Sequence, residues 1–322
     1  MMAQQLAYFQ GDIVPLEEAN LNILTHAFNY GTGCFEGIRA YWNDEKEELY
    51  VLHLEAHFRR LERSAKILHA KLPHSVEELC AITMELIRRC GYRQDIYLRP
   101  TLYKADHVMG VKLHNLTDEL CIYVIPMGTY VDIDRPLKVG VSSWRRINDN
   151  QIPARAKIVG AYVNSALAKT EANLNGFDEA IFLNDQGHVC EGSAENFFMV
   201  RDGVMITPGE NEDILEGITR SSIIELAHKE LGLDTKVRAI DRSEIYIADE
   251  IFLCGTGAQI AWVNEADHRV IGTGKMGPIT TKLRELYFAA VRGDLPQYAH
   301  WLQPAYGGAN GAAMAGKEAS LT

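Results

Sequence analysis

Between residues 179 and 208 the chain runs through four short apolar segments, EAIFLN, HVCEG, NFFMV and VMITP. Asp185-Gln186-Gly187 and Arg201-Asp202-Gly203 part them. Segments this short, broken by glycine-containing turns, read as hairpin strands rather than helices. Helical periodicity appears on either side, at 163–175, 219–231 and 279–292, and further strands are expected at 138–144, 236–240 and 250–253. The earlier part of the chain alternates differently. LAYFQGDIVP reads as a hairpin around Gly11-Asp12, and ELYVLH at 48–53 reads as a strand. A helix over 54–68 follows, then a second over 75–90, opened by a Ser75/Glu78 capping box and closed by Gly91. Strands DIYLRPTLYK and ELCIYVIPMG flank an irregular segment. The polar stretch YVDIDRPL, with its proline, reads as an interdomain linker. The expected division is a small domain at 1–129, a linker at 130–137, a larger domain at 138–302, and a small-residue, flexible tail at 303–322.

With 322 residues, two domains of ordinary size are available. The net charge of −11, from 32 basic and 43 acidic residues, gives no general affinity for nucleic acid or anionic membranes. Any bound anion needs a local site. Six scattered cysteines without a C-x-x-C disfavour a zinc knuckle or a disulfide framework and fit a reducing compartment. The N-terminal residues show no signal-peptide pattern, and no apolar run approaches the 18 or so residues of a membrane span. A cytoplasmic location is expected.

Two motifs imitate familiar sites. GTGKMG at 272–277 matches G-x-G-x-x-G, but only the pair Val270-Ile271 precedes it and no βαβ unit can follow, so it reads as a turn before a helix. His53 and His57 have the spacing of a helical metal pair, yet Leu54 stands where the zinc-protease motif needs glutamate, and His53 ends a strand. A structural role is expected for both, and no metal.

Other pieces carry more chemistry. LEGITR runs into a helix, and Gly217, Ile218 and Thr219 offer backbone N–H groups and a hydroxyl at its start, either as a phosphate cradle or as a plain cap. Gly255-Thr-Gly-Ala258 is a second candidate anion nest. Lys157, in RAKIVGAYVNS, lies between a proline loop and an apolar helix entry, where a lysine can serve as an amine nucleophile. Glu191, on a strand beside small residues, is expensive to bury unless it meets a cation. The run YGTGCFEGIR has its third glycine one place late for a dinucleotide loop, and its glycines sit among aromatic rings, as in a tight pocket wall. A phosphate cradle, an inward lysine, an inward carboxylate and aromatic walls are together what pyridoxal phosphate requires.

With these motifs in this order (Y-G-T-G-x-F-E-G-I-R, H-x-x-R-L, Y-x-R-P, R-A-K, E-G-x-x-E-N, G-I-T-R, G-T-G-A), the sequence resembles the branched-chain amino acid aminotransferases from about Tyr8 to Arg292. The resemblance implies a two-domain α+β protein of fold type IV, with a small N-terminal α/β domain and a larger domain built on a mixed, barrel-like β core. It implies pyridoxal 5′-phosphate linked to Lys157, with Glu191 on the ring nitrogen and Tyr162 on the ring oxygen. The phosphate would be held by Arg60, Gly217, Ile218, Thr219 and Thr256. Tyr30, Phe35 and Gly37 would line the side-chain pocket, with Arg39 orienting tyrosines and Met127 and Tyr130 nearby. Met127 stands where some relatives carry tryptophan. Arg99, after Tyr97, would take the distal carboxylate of glutamate, and Gly257 and Ala258 the α-carboxylate. Glu195 and Asn196 would be scaffold. Residues 107–111 would be lent by a second subunit, making a homodimer the smallest assembly. The implied reaction exchanges amino groups between leucine, isoleucine or valine and 2-oxoglutarate by a ping-pong mechanism. The alternatives within the fold are D-amino-acid aminotransferases, amine transaminases and aminodeoxychorismate lyases, against which Y-x-R argues. A nicotinamide dehydrogenase would rest only on residues 272–277.

Overall fold

The computed structural model describes residues 5–128 and 134–307; Tyr130 and the rest of the first half of the expected linker, 130–133, lie outside them. The described residues fall into two compact units, 5–128 with 288–307, and 134–287. Residues 288–302, expected in the second domain, therefore belong to the first unit.

In the first unit, β1 (Leu6–Phe9) and β2 (Asp12–Pro15) form the expected hairpin. Gln10 and Gly11 turn it at φ of 51° and 93°, a conformation that glycine adopts without strain. The short helix α1 (His26–Tyr30) ends on left-handed Gly31. The glycine–aromatic run then forms β3 (Gly33–Phe35) and β4 (Ile38–Asn43), so it is sheet and not a nucleotide loop. Periodicity hid β4 because all six of its residues are buried. After β5 (Glu48–Leu52) come α2 (Leu54–Ile67) and α3 (Val76–Cys90), the latter with both hydrogen bonds of the Ser75/Glu78 capping box. β6 (Ile96–Lys104) and β7 (Asp118–Pro126) complete the order β5-β4-β6-β7-β1-β2, with β3 on β6. Phe58 and Leu61 of α2 and Leu79 and Ile87 of α3 belong to one core with Ile38, Leu98 and Ile122 of the sheet. Each such side chain contributes about 1.5–3 kcal/mol by leaving water.

The second unit begins with β8 (Leu137–Arg145), followed by α4 (Tyr162–Leu174), β9 (Glu179–Leu183), β10 (Val189–Gly192), β11 (Asn196–Arg201) and β12 (Val204–Thr207). Then come α5 (Ile218–Leu231), β13 (Lys236–Val237), β14 (Glu250–Gly255), β15 (Gln259–Ala266) and β16 (Arg269–Val270). β8 pairs in parallel with β9 and β15, while β10 pairs antiparallel with both β9 and β11. That double pairing closes β8, β9, β10, β11, β14 and β15 into a ring, the barrel-like core. Closure leaves these strands no open edge. β15 was not anticipated: polar Gln259, Asn264 and Glu265 frame its short apolar run. The strand expected at 236–240 shrinks to two residues.

α6 (Pro278–Val291) carries the chain from the second unit back into the first. Its start explains GTGKMG. The Glu250 carboxylate accepts from the N–H groups of Ile279 (3.1 Å) and Thr280 (2.8 Å), and a Cβ on Gly277 would lie 2.0 Å from that carboxyl carbon. The helix start is already filled by an internal anion, which removes the structural basis of a dinucleotide site. The flexible tail needs correction at its beginning. β17 (Leu302–Pro304) pairs with β5, Ala305 is buried, and the Tyr306 hydroxyl donates to the Tyr92 carbonyl at 2.7 Å.

One buried carboxylate ties α2 to the sheet. Glu36 is fully buried and accepts from Arg60 Nε (2.8 Å), Arg60 Nη2 (2.7 Å) and His57 Nδ1 (2.7 Å). Burial alone would raise its pKa. The charge and hydrogen bonds of Arg60, with those of His57, outweigh that and lower it from 4.5 to about 2. A depressed carboxylate contributes stability that is present above its unfolded pKa and lost as pH falls through the folded one. At neutral pH this amounts to roughly 3 kcal/mol. In Glu36→Gln, the chemical-denaturation midpoint should drop at pH 7, and the gap from the unsubstituted protein should narrow between about pH 5 and pH 2. A gap independent of pH would show that the ion pair does not set this stability.

Candidate active site

In the second unit, Lys157 precedes the 3₁₀ turn Val159–Ala161, and Tyr162 opens α4. This turn points the lysine amine at the phenol, with Lys157 Nζ donating to Tyr162 Oη at 2.6 Å. Glu191 lies on β10, 5% exposed, in a carboxylate site built by three elements. Arg146 Nη2 reaches Oε1 at 2.8 Å, while Asn196 Nδ2 (3.1 Å) and the Leu215 N–H (3.0 Å) donate to Oε2. Burial raises the Glu191 pKa, and Arg146, the Leu215 N–H and Lys157 oppose it without cancelling it. The sequence requirement that this carboxylate meet a cation is therefore met by Arg146, which motif reasoning missed. Its available signal was an arginine directly after a strand of the same sheet.

The start of α5 is built on the same network. Gly217 is its N-cap and supplies no side-chain cap, so the first N–H groups, those of Ile218 and Thr219, face outward from the helix start. A Cβ on Gly217 would lie 1.9 Å from Asn196 Oδ1, which is why glycine stands there. Arg220, one residue on, anchors the helix through the Pro208 carbonyl and Glu210, each at 3.0 Å. Thr256, Gly257 and Ala258 form the three-residue loop between β14 and β15, closed by left-handed Gln259 at φ 56°.

Glu195 and Asn196, expected as scaffold, differ from each other. Asn196 braces both Glu191 and the Leu215 carbonyl (2.9 Å). Glu195 is buried near Glu179, and burial with that like charge pushes its pKa up to about 8. Lys169 is bound to Glu179 and is thereby committed to structure.

The first unit carries most of the residues expected to line the side-chain pocket. Arg99 Nε and Nη2 donate to Tyr97 Oη at 3.0 and 2.7 Å, and its guanidinium lies 4.6 Å from the Phe35 ring centre. A Cβ on Gly37 would stand 2.7 Å from Tyr97 Oη, so glycine makes room for this phenol. Arg39 is buried; it donates to the carbonyls of Met127 (3.2 Å) and Gly128 and lies over Tyr41, so it organises the end of β7 and that ring. The Tyr30 hydroxyl accepts from the Gly110 N–H at 3.3 Å and so is tied to residues 107–111, whose Gly110 carbonyl also accepts from His26 Nε2 (2.9 Å). Arg60, expected on a phosphate, is held by Glu36, so any phosphate contact falls to an arginine already anchored there. His57 is bound to the same carboxylate and His53 rests against Trp301, which gives both histidines structural work.

The second-unit set fits a phosphorylated pyridine aldehyde. A primary amine stands beside a phenol, a buried carboxylate is available for a ring nitrogen, and a helix start without a side-chain cap suits a phosphate. The family model for class IV amino-transferases matches residues 33–266. A probable branched-chain-amino-acid aminotransferase of Aquifex aeolicus is 51% identical over 304 residues, covering 94% of this chain and 98% of that one. The crystal structure of a branched-chain aminotransferase from Thermoproteus uzoniensis with norvaline superimposes with a TM-score of 0.90 at 42% identity, covering 94% of this chain and all of that one. The crystal structure of the T.th. branched-chain amino acid aminotransferase complexed with N-(5′-phosphopyridoxyl)-L-glutamate gives a TM-score of 0.88 at 40% identity, with 94% and 99% covered. By the extent of these matches, this chain belongs to the class IV aminotransferases.

Proposed function

We propose that the chain is a branched-chain-amino-acid transaminase. It exchanges the amino group of L-leucine, L-isoleucine or L-valine with 2-oxoglutarate, giving branched-chain 2-oxo acids and L-glutamate in two half-reactions on pyridoxal 5′-phosphate. The observation that carries this reading is the second-unit set of Lys157 on Tyr162 at 2.6 Å and buried Glu191 on Arg146 at 2.8 Å. The names of the relatives, and the phosphopyridoxyl-glutamate in one of the solved structures, support the substrate class.

When bound, pyridoxal phosphate supplies an electron sink for the charge left as a substrate Cα–H bond breaks. Lys157 carries the cofactor and, once released, takes and returns the Cα proton. Tyr162 accepts from that amine and holds the ring oxygen. Glu191 holds the ring nitrogen, and the N–H groups of Ile218 and Thr219, with Gly217 and Thr256, hold the phosphate. The N–H groups of Gly257 and Ala258 take the substrate α-carboxylate.

In the first unit, Tyr30, Phe35, Gly37 and Met127 receive the apolar side chain, and Arg39 supports that wall through β7. Arg99 receives the distal carboxylate of glutamate while Tyr97 fixes its guanidinium. The pairing of aromatic rings with one cation matches a substrate set that is apolar in one half-reaction and anionic in the other. This Arg99–Tyr97 pair favours the branched-chain reading over D-amino-acid or amine transaminases. The working unit is at least a homodimer, with residues 107–111 covering a neighbouring subunit's site. Met109 and Val111, 79% and 86% exposed, support that role. A cytoplasmic setting accords with six free cysteines. No helix among the described residues is long and apolar enough to cross a membrane.

Borohydride reduction of the cofactor-loaded protein should leave the label on the peptide containing Lys157. Recovery on Lys169 or Lys138 would overturn the assignment. In Arg99→Ala, bleaching of the bound cofactor's visible absorption by leucine should stay within a few-fold of the native rate. The glutamate half-reaction should slow by about a hundredfold or more, since a buried carboxylate loses a charge-assisted pair of several kcal/mol. Equal losses with both amino acids would place Arg99 in fold or cofactor support, and a D-amino-acid panel would then decide between the rival activities.

A further inference from the structure

Arg146 is the charged residue nearest the Glu191 carboxylate, and no motif used to recognise the site includes it. It follows β8 directly. Its backbone N–H donates to the Leu183 carbonyl at 2.9 Å, continuing the alignment of β8 with β9. The guanidinium stands 5.6 Å from the Phe182 ring centre, and its side chain is 11% exposed. Nη2 meets Glu191 Oε1 at 2.8 Å, whereas Nε is buried without a hydrogen-bond partner. An arginine placed only for structure would be expected to satisfy its fork. This one has its Nε unpaired while Nη2 sits on a carboxylate oxygen.

We infer that Arg146 is a positioning residue that acts by charge, keeping Glu191 ionised so that the proton of the Glu191–cofactor pair rests on the ring nitrogen. This rests on the assignment of Glu191 to that nitrogen. In a low-dielectric site, a carboxylate and a pyridinium sharing one proton can collapse to a neutral acid and a neutral pyridine, because separated charges are costly there. A fixed cation on the far side of the carboxylate opposes the collapse. It lies closer to the carboxylate than to any cation held on the other side, so attraction exceeds repulsion.

The other groups around Glu191 do not replace it. Asn196 and the Leu215 N–H are neutral donors, Glu195 and Cys190 bring no positive charge, and Lys157 is reserved for the cofactor. Asp213, whose carboxyl feels the charge of Arg146, brings no positive charge either. Burial pushes the Glu191 pKa upward, and Arg146 is the largest influence opposing it. The ring is a strong electron sink only when its nitrogen is protonated, so the charge on Arg146 sets the power of a cofactor it need not touch.

The test loads the enzyme with pyridoxal phosphate carrying nitrogen-15 in the ring and reads that resonance at neutral pH without substrate. The native protein and Arg146→Lys should both give the protonated position. Arg146→Gln, which keeps a donor but no charge, and Arg146→Met should both move to the unprotonated position. If Arg146→Met does not hold the cofactor, the Lys and Gln variants decide alone. A protonated resonance in Arg146→Gln overturns the inference, because a hydrogen bond without charge then suffices. Glu191→Gln separates this from the underlying assignment. If it loses the protonated resonance while Arg146→Gln keeps it, only the role of Arg146 falls. If it leaves the resonance in place, the Glu191 assignment falls and the inference with it.

Discussion

Taking a carboxylate out of water costs more than most single contacts return, so each buried one dictates what is built around it. Glu36 requires Arg60 and His57, which brings one face of α2 onto the strands of the first unit. Glu191 requires Arg146, Asn196 and the Leu215 N–H, which brings the end of β8, the start of β11 and the approach to α5 to one point. Glu250 is met by the first N–H groups of α6 and fixes where that helix begins. Apolar burial supplies most of the gross stabilisation, but it is not directional. These three acids set the relative placement of elements that hydrophobic packing alone would leave adjustable.

The closed ring of six strands adds a second constraint. With β10 paired on both sides, Glu191 cannot change register without breaking a ladder on at least one of them. The carboxylate thus stands on a framework more rigid than a loop, as would suit the ring-nitrogen role proposed for it.

What was legible in the sequence was mostly local. The Ser75/Glu78 capping box and the amphipathic face of α2 depend on residues a few places apart and stand where expected, while the first hairpin turns one residue early, at Gln10-Gly11 instead of Gly11-Asp12, with Asp12 opening β2. Structure held by distant partners was harder to see. β4 is buried along its whole length and shows no alternation, β15 is framed by polar residues, and β17 exists only because β5 has an edge to offer. In the site, Lys157 and Glu191 were singled out from their surroundings in the sequence and Tyr162 through the family resemblance; the structure sets Lys157 on Tyr162 and Glu191 on Arg146. Arg146 was missed because it answers a need that arises only once Glu191 is buried, and Glu36 because its partners Arg60 and His57 stand more than twenty residues away in the chain. Arg60 was expected on a phosphate, and the structure shows it on Glu36, an anion the sequence reading had not paired with it.

Asn196 has a wider consequence. One carboxamide has its nitrogen on Glu191 and its oxygen where a side chain at Gly217 would otherwise stand, at the foot of α5. On the proposed assignment, the fittings for the two ends of the cofactor would be mounted on a common bracket, and their separation would behave as a gauge length. A vitamin form lacking the phosphate would engage one end of that gauge and leave the helix start to water. Selectivity for the phosphorylated form would then come from the scaffold itself, before any substrate arrives.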